Sequence, residues 1–332
     1  FCNHKLNDFR CYKKVGIIPA FNSVISNIFY ILYGLIYIVI VRVNYKYKVT
    51  NENELGIIKP PYLYYSLGIS LIFEGICSAI YHICPTKLNF QFDTTFMFIG
   101  GILMFITIYG KRNIEPSPMK IYSFLGFLIF INILPLSGLT TEFEQYFWGG
   151  IFIVVTYIMI TVSAHLYYGK EYEFELDSFQ TVYINIKQVK KKEIPKLILL
   201  VILNCFTLGT YLWAIITQAN FTDWVLGLII VNMLLYFCYY LIQKLIHREK
   251  ISSILWCWII IDLIIVILSL LFYVKTSTNT FLSPEQSRAL NEPCIIFSYF
   301  DYHDVWHILS ATGLFIFMII VLFLDSNIHG GI

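Results

Sequence analysis

The feature that most constrains this chain is a series of apolar segments, each about as long as a membrane is thick. A helix needs about 20 consecutive apolar residues to cross a bilayer, and nine segments of this kind can be counted in the 332 residues. They cover residues 20–43, 62–84, 92–110, 120–137, 146–168, 197–217, 222–246, 254–274 and 303–324. Because unpaired backbone groups are costly in lipid, each span must be helical. The sequence therefore predicts an all-α, polytopic helical membrane bundle.

Composition supports the same class of protein. Hydrophobic residues make up 58% of the chain, charged residues 13%, and the mean hydropathy is +0.70, whereas soluble domains carry about a quarter charged residues. These values exclude a soluble domain and a disordered chain. The net charge is only +2, which does not indicate a surface built to bind a polyanion.

The distribution of basic residues predicts the orientation. Sixteen of the 23 Lys and Arg residues lie in alternate connections, and the positive-inside rule makes that side cytosolic, with the N-terminus outside and the C-terminus inside. We expect an outer segment 1–19, a transmembrane domain 20–325 and a cytosolic tail 326–332. The sequon Asn220-Phe221-Thr222 falls on the predicted outer side. Since the chain opens with Phe1 and a polar stretch without a signal-peptide core, we expect a fragment or a processed protein.

Cysteine positions agree with that orientation. The predicted outer segments contain four cysteines, where disulfides persist: Cys2, Cys11, Cys84 and Cys294. Three pairings are open to them, and we predict Cys2–Cys11 with Cys84–Cys294. The remaining cysteines lie within spans and are interpreted as packing residues: Cys77, Cys205, Cys238 and Cys257.

Ionisable side chains inside spans are rare and costly, so each is a candidate for function. The second span carries Glu74, Ser78 and His82 at intervals of four residues, which places them on one stripe of a helix. After a predicted connection of seven residues, Asp93 lies at the opening of the third span. A connection this short makes the two spans neighbours and brings Asp93 near the height of His82.

The ninth span opens with His303 and His307, whose i, i+4 spacing suits two zinc ligands on one helix face. With His82 and Asp93 they lie just inside the predicted outer leaflet. Three imidazoles and a carboxylate suit Zn²⁺. Asp93 is either a fourth ligand that completes the zinc coordination or a general base that acts on a zinc-bound water molecule. Ser78 can donate a hydrogen bond to that water or to an oxyanion. The alternative is that histidines at an interface simply meet water or headgroups.

Other polar and aromatic residues in the spans favour structural roles. We interpret Asn132, Asn204 and Asn232 as interhelical hydrogen-bond formers, and Glu74 and Asp262 as structural carboxyl groups. The 25 Tyr and 28 Phe residues are typical of interfacial belts and lipid-facing packing.

The three motifs that carry these side chains, residues 78–85, 89–94 and 301–312, together resemble the systemic RNA interference-defective (SID) transmembrane family. Residues 22–27 and 73–75 also match its pattern, so the resemblance covers essentially the whole chain. It implies membership of the CREST superfamily, with alkaline ceramidases and adiponectin-type receptors, and a shared zinc constellation. By this resemblance His82, His303 and His307 are zinc ligands and Asp93 a fourth ligand or water-holder, with Ser78 behind them.

The resemblance also implies partners and a location. The resemblance implies an architecture of eleven spans and a β-rich ectodomain, to which RNA binding is largely attributed. This chain resembles spans three to eleven of that architecture. The resemblance implies uptake or transport of double-stranded RNA across the plasma or lysosomal membrane, and binding of membrane lipid and cholesterol. We also expect a homodimer.

Three functions remain open at this stage. The first is transport of double-stranded RNA, supported by the resemblance. The second is zinc-dependent hydrolysis of a lipid amide or ester, favoured by the motif chemistry, with Asp93 moving the proton and Ser78 assisting. The third is a purely structural zinc ion that holds spans two, three and nine together.

Overall fold

A computed structural model describes residues 11, 13–18, 20–50, 61–113, 117–133, 144–168, 194–217, 219, 221–275 and 293–326. Within these ranges the chain forms ten helices: α1 (Phe21–Ser26), α2 (Ile28–Thr50), α3 (Tyr62–Ile83), α4 (Lys87–Tyr109), α5 (Pro118–Ile133), α6 (Glu144–Tyr168), α7 (Ile194–Thr217), α8 (Phe221–Ile246), α9 (Ser253–Val274) and α10 (Tyr302–Phe323). Bridges between extended residues are limited, in this part of the chain, to Val15–Ile18 and Ile296–Phe300. The all-α prediction is confirmed.

Seven helical segments of the described residues are long and apolar enough to cross a membrane, the first of them being α1 and α2 taken together. The other two predicted spans, 120–137 and 146–168, correspond to the shorter apolar stretches Pro118–Ile133 and Phe147–Ile160. The protein is therefore an integral, polytopic helical membrane protein. The count of nine crossings and the orientation stay predictions.

Several sequence predictions fall on residues outside the described ranges. They concern most of the predicted terminal segments 1–19 and 326–332, Asn220 of the sequon, Cys2, and part of the basic residues used for the orientation.

Two predicted helix boundaries are wrong. The first span was expected to end at residue 43, but α2 continues to Thr50, because lysine side chains can extend along a helix end toward water and are favoured at its C-terminus. The third span was expected to begin at residue 92, but α4 begins at Lys87. There the hydroxyl of Thr86 accepts a hydrogen bond from the backbone N–H of Asn89 at 3.2 Å, which makes Thr86 the N-cap. The connection therefore shrinks, and Asp93 lies in the second helical turn.

The first predicted span is interrupted at Asn27, between α1 and α2. The side chains of Ser26 and Asn27 both donate hydrogen bonds to the main-chain oxygen of Ser23, each at 2.8 Å. Such local bonds compete with the regular helical ladder. The span is therefore one continuous run of hydrophobicity but two helices.

Residues 1–107 and 248–332 form one compact unit, in which α2 packs against α3 and α10, and α10 packs against α9. The backbones of α2 and α3 approach closely at Gly34 and Gly68, since a Cβ on Gly68 would lie 2.6 Å from Cγ1 of Ile38 and 3.1 Å from the main-chain oxygen of Gly34. Small residues permit this packing in membranes, and it holds α3, which carries Ser78 and His82, against α2.

Tyrosines join α2 to α10. The ring of Tyr33 stacks on Phe315 with centroids 4.8 Å apart, and the hydroxyl of Tyr37 donates to the main-chain oxygen of Met318 at 3.4 Å. Tyr30 and Tyr37 are fully buried. The interpretation of the aromatic residues as interfacial and lipid-facing is therefore wrong for these two, because their hydroxyls find partners inside the helix interface.

We predict that Gly75→Ala lowers the thermal stability of the chain. A Cβ at this position would lie 2.9 Å from the main-chain oxygen of Asn27 and from side-chain atoms of Tyr30 and Ile31, so the helices must separate. In an open helix the same change stabilises by about 1 kcal/mol. Gly209→Ala, where a Cβ meets nothing within 4 Å, is the matched control. Melting curves in detergent test the pair, and equal midpoints would contradict the prediction.

Residues 108–247 form the second compact unit, in which α7 packs against α6 and α8. The three asparagines predicted to bond between helices do so. The pairs are Asn132 with Thr222 at 3.3 Å, Asn204 with Ser163 at 3.0 Å and Asn232 with Thr207 at 3.5 Å. Each places a polar group of one span against a polar group of its neighbour, as expected in lipid.

The predicted disulfide pairing is wrong. Cys11 is bonded to Cys294, with Cα atoms 4.8 Å apart, and Cys84 is also disulfide-bonded. The chain before α1 thus meets the chain before α10, although 283 residues separate them. The four cysteines within spans are free thiols, as expected: Cys77, Cys205, Cys238 and Cys257. The last three are exposed on helix surfaces rather than packed inside, since apolar residues of a membrane protein also face lipid.

Candidate metal centre

Three histidines from two helices converge on one point. His82 lies in the last turn of α3, and His303 and His307 lie in the first two turns of α10. The Nε2 atom of His82 is 2.9 Å from Nε2 of His307 and 3.3 Å from Nε2 of His303, and one ring nitrogen from each residue lies within 4.8 Å of the other two. Zinc–nitrogen bonds of about 2.0–2.1 Å in a tetrahedron place the nitrogens roughly 3.3 Å apart. The spacing therefore fits a common metal ion.

The start of α10 explains why both of its histidines point the same way. The Asp301 carboxylate accepts a hydrogen bond from the backbone N–H of Asp304 at 2.9 Å, and the Asp304 carboxylate accepts one from the backbone N–H of Asp301 at 3.2 Å. This reciprocal capping box fixes the first turn. His303 and His307 then lie one turn apart, with ring centroids separated by 4.5 Å.

The surroundings of the two histidine rings of α10 leave one nitrogen of each without a partner among the described residues. His307 is 1% exposed, and its edge contacts include Tyr30 and Trp306. The Nδ1 atoms of His303 and His307 have no hydrogen-bond partner in the described part of the chain. Buried polar atoms normally have a partner. A cation bound by the three Nε2 atoms would account for the close approach of these atoms to one another.

A second set of buried polar side chains includes Ser78 on α3 and Asp93 on α4. Ser78 is one helical turn before His82, and the carboxyl group of Asp93 interacts with the side chains of Ser78 and Glu74. All three residues are buried. The Ser78 hydroxyl oxygen, Oδ1 of Asp93 and both Glu74 oxygens make no hydrogen bond of regular geometry among the described residues, although the three side chains are neighbours. Asp93 is outside the group of side chains whose ligand atoms lie within 4.8 Å of one another.

The position of Asp93 bears on the two roles that the sequence left open for it. A ligand must lie within bonding distance of the ion, whereas a base needs only to reach a water molecule. Asp93 is buried beside the Ser78 and Glu74 side chains and outside the group of converging ring nitrogens, and both roles stay predictions.

Sequence reasoning missed some neighbours of the site. Glu74 was interpreted as a structural residue deeper than the histidines, yet its carboxyl group is next to Asp93. The sequence signal that could have indicated this position is the spacing of four residues between Glu74 and Ser78. The Tyr30 hydroxyl is 2.5 Å from the Ser310 hydroxyl, and Tyr30 also contacts His307. Nothing in the pattern of α2 distinguishes this tyrosine from those that face lipid.

The fold and the site together define a class: a polytopic helical membrane protein with a histidine cluster at the adjoining ends of two spans. The chain belongs to the family described as the dsRNA-gated channel SID-1, which matches residues 2–330. The resemblance noted from the three motifs is thus confirmed for the family, while membership of the CREST superfamily stays a prediction.

Individual relatives cover nearly the whole chain. SID1 transmembrane family member 1 from Homo sapiens is 29% identical over 335 residues, which are 97% of this chain and 40% of that protein. Its Mus musculus counterpart is 28% identical with the same coverage. Cholesterol uptake protein 1 from Caenorhabditis elegans is 25% identical over 97% of this chain and 44% of that protein. The chain therefore spans about two fifths of the length of these relatives.

Proposed function

We propose that His82, His303 and His307 bind a zinc ion within the membrane domain. The observation that supports this most directly is the convergence of three imidazole nitrogens from helices far apart in sequence. Neutral imidazoles are preferred zinc ligands. The bound ion would join α3 to α10 and would supply Lewis-acid chemistry to a carbonyl group near it.

Metal content of the purified chain tests this proposal. After detergent extraction and removal of loosely bound metal, mass spectrometry is expected to find about one zinc ion per chain, as for a single tetrahedral site. Stripping the metal with a chelator is expected to lower the melting temperature, because a ligand that binds only the folded state stabilises it. Wild-type protein that is folded but free of metal, even after addition of zinc, would contradict the proposal.

We infer that the protein of which this chain forms the membrane domain moves double-stranded RNA across a plasma or lysosomal membrane. Family membership supports this inference. The charge of this chain gives no further support for RNA transport, since affinity for a polyanion requires many phosphate contacts and the net charge is only +2.

Uptake of labelled double-stranded RNA by cells that express the protein tests the transport role. We expect expression to increase the RNA inside the cells, and an equally long single-stranded RNA serves as the control. Unchanged uptake by protein shown to be in the plasma membrane would contradict the inference for that membrane. The same measurement on vesicles derived from lysosomes tests the other location.

A second candidate function is zinc-dependent hydrolysis of a lipid amide or ester. It is favoured by the buried Ser78 and Asp93 side chains, which lie next to each other, with Ser78 one helical turn from His82. Asp93 would take a proton from the attacking water and return it to the departing amine or alcohol, while the Ser78 hydroxyl stabilises the oxyanion that forms at the carbonyl. If zinc binds without turnover, its role is structural.

Lipid is also a proposed partner in its own right. A relative named for cholesterol uptake is similar over 97% of this chain, and we propose that this membrane domain binds membrane lipid, including cholesterol. Photocrosslinking with a sterol probe, competed by unlabelled cholesterol, tests this. The homodimer stays a prediction, for which the mass of the detergent-solubilised particle is the measurement.

A further inference from the structure

The N-terminal ends of α1 and α10 are joined by hydrogen bonds that centre on Asn22. This residue is 1% exposed. Its Nδ2 atom donates to Oδ2 of Asp304 at 2.6 Å and to the main-chain oxygen of Cys11 at 3.2 Å. Its Oδ1 atom accepts from the backbone N–H of Lys13 at 3.1 Å. A single carboxamide therefore bonds both to the chain before α1 and to the first turn of α10.

The carboxylate that Asn22 contacts is part of the cap of the helix that carries two of the three histidines. Oδ2 of Asp304 accepts from Asn22 and also from the backbone N–H of Asp301. Asp304 is fully buried and follows His303 directly. The bond from Asn22 therefore reaches the turn that carries His303, where the Asp304 carboxylate also interacts with the Ser23 side chain.

A covalent link reinforces the same connection. Cys11, whose main-chain oxygen accepts from Asn22, is bonded to Cys294 in the segment that leads into α10. Cys11, Asp301 and Asp304 bring their side-chain atoms within 4.8 Å of one another, a spacing that would suit a second metal ion. The sulfur is in a disulfide, however, and both carboxylates are used in the cap. This group therefore holds the start of the helix.

We propose that Asn22 is a positioning residue for the His82–His303–His307 group, and that with the Cys11–Cys294 bond it sets the metal affinity of this group by holding the start of α10 in register with the end of α3. The proposal rests on the zinc site proposed above. His303 is only the second residue of its helix, so nothing on the N-terminal side but the cap and its contacts can keep its ring directed at His82.

The test is a titration of the metal-stripped 332-residue chain, in detergent, with Co²⁺ in competition with a chelator. Cobalt reports a tetrahedral site by its visible absorption. We expect Asn22→Ala to weaken binding by roughly 10- to 100-fold, the range seen when residues behind metal ligands are removed. Cys11→Ser/Cys294→Ser is expected to weaken it as well. The loss of binding free energy in the combined variant should be smaller than the sum of the two separate losses, since both changes break the same connection between the chain before α1 and the start of α10.

A charge-preserving exchange separates positioning from general stability. Asn22→Asp is expected to weaken binding more than Asn22→Ala, because two carboxylates then face each other. Asn22→Asp/Asp304→Asn exchanges donor and acceptor between these two side chains and is expected to restore part of the affinity, since a carboxylate at position 22 cannot donate to the main-chain oxygen of Cys11. Melting curves of the metal-free variants show whether each one folds.

Either of two results would overturn the proposal. One is wild-type affinity in a folded Asn22→Ala variant, even if that variant melts at a lower temperature. The other is a folded exchange variant that binds no better than Asn22→Asp. Failure of the zinc site itself is distinguishable, because the wild-type chain would then give no cobalt spectrum at all.

Discussion

Replacing both histidines of α10, as His303→Ala/His307→Ala, is expected to remove the bound zinc completely. The variant leaves one of three imidazoles, and a single neutral ligand cannot hold a zinc ion against water in a site that needs three or four. The measurement is zinc per chain by mass spectrometry, together with the rise in melting temperature on adding zinc. A ligand present at 100 times its dissociation constant stabilises the folded state by about 2.7 kcal/mol, and the variant should lose that rise.

His247→Ala is the matched control for this variant. His247 is exposed and follows the end of α8, far in sequence from the three ligands. The His247→Ala variant should retain the full zinc content and the full rise in melting temperature on adding zinc. Zinc that stays bound to His303→Ala/His307→Ala at the wild-type level would show that the metal is held elsewhere.

The second large effect is expected from Asp93→Asn. If this domain hydrolyses a lipid amide or ester, removing the group that moves the proton should lower the rate about 10²- to 10⁴-fold. Zinc content should not change, because Asp93 lies outside the group of converging ligands. Ser78→Ala should lower the rate less, since it removes one hydrogen bond to the oxyanion rather than the base. The assay follows release of fatty acid from a labelled ceramide or phospholipid.

Asp223→Asn, at an exposed position in the first turn of α8, controls for the loss of one negative charge and should leave the rate unchanged. Loss of zinc from Asp93→Asn would instead make Asp93 a ligand. Wild-type protein with bound zinc and no measurable hydrolysis would favour the structural role of the metal over the catalytic one.

Much of the candidate site could be predicted from local patterns. The spacing of Ser78 and His82 defines one stripe of α3, and the spacing of His303 and His307 defines one face of α10. Both patterns are properties of a single helix, with 3.6 residues per turn, and need no knowledge of the rest of the fold. Hydropathy likewise located the helices, because lipid requires every span to bond its own backbone.

Contacts between helices could not be predicted in this way. The pairing of Cys11 with Cys294, the position of Glu74 beside Asp93 and the burial of Tyr30 against α10 each depend on which helix surfaces meet. The nearest cysteines in the sequence suggested the pair Cys2–Cys11, and a tyrosine in a span looks the same from its neighbours whether it faces lipid or protein.

The sequence by itself determined that the chain is a membrane protein of many helices, and that the candidate site residues lie near the ends of three spans. Only the tertiary structure decided that α3 and α10 meet, that three Nε2 atoms converge with Asp93 outside their group, and that Asn22 joins α1 to the start of α10. The physical reason is that periodicity and hydropathy act within one helix. The meeting of α3 and α10 is set instead by close packing at Gly34, Gly68 and Gly75 and by the tyrosines of α2.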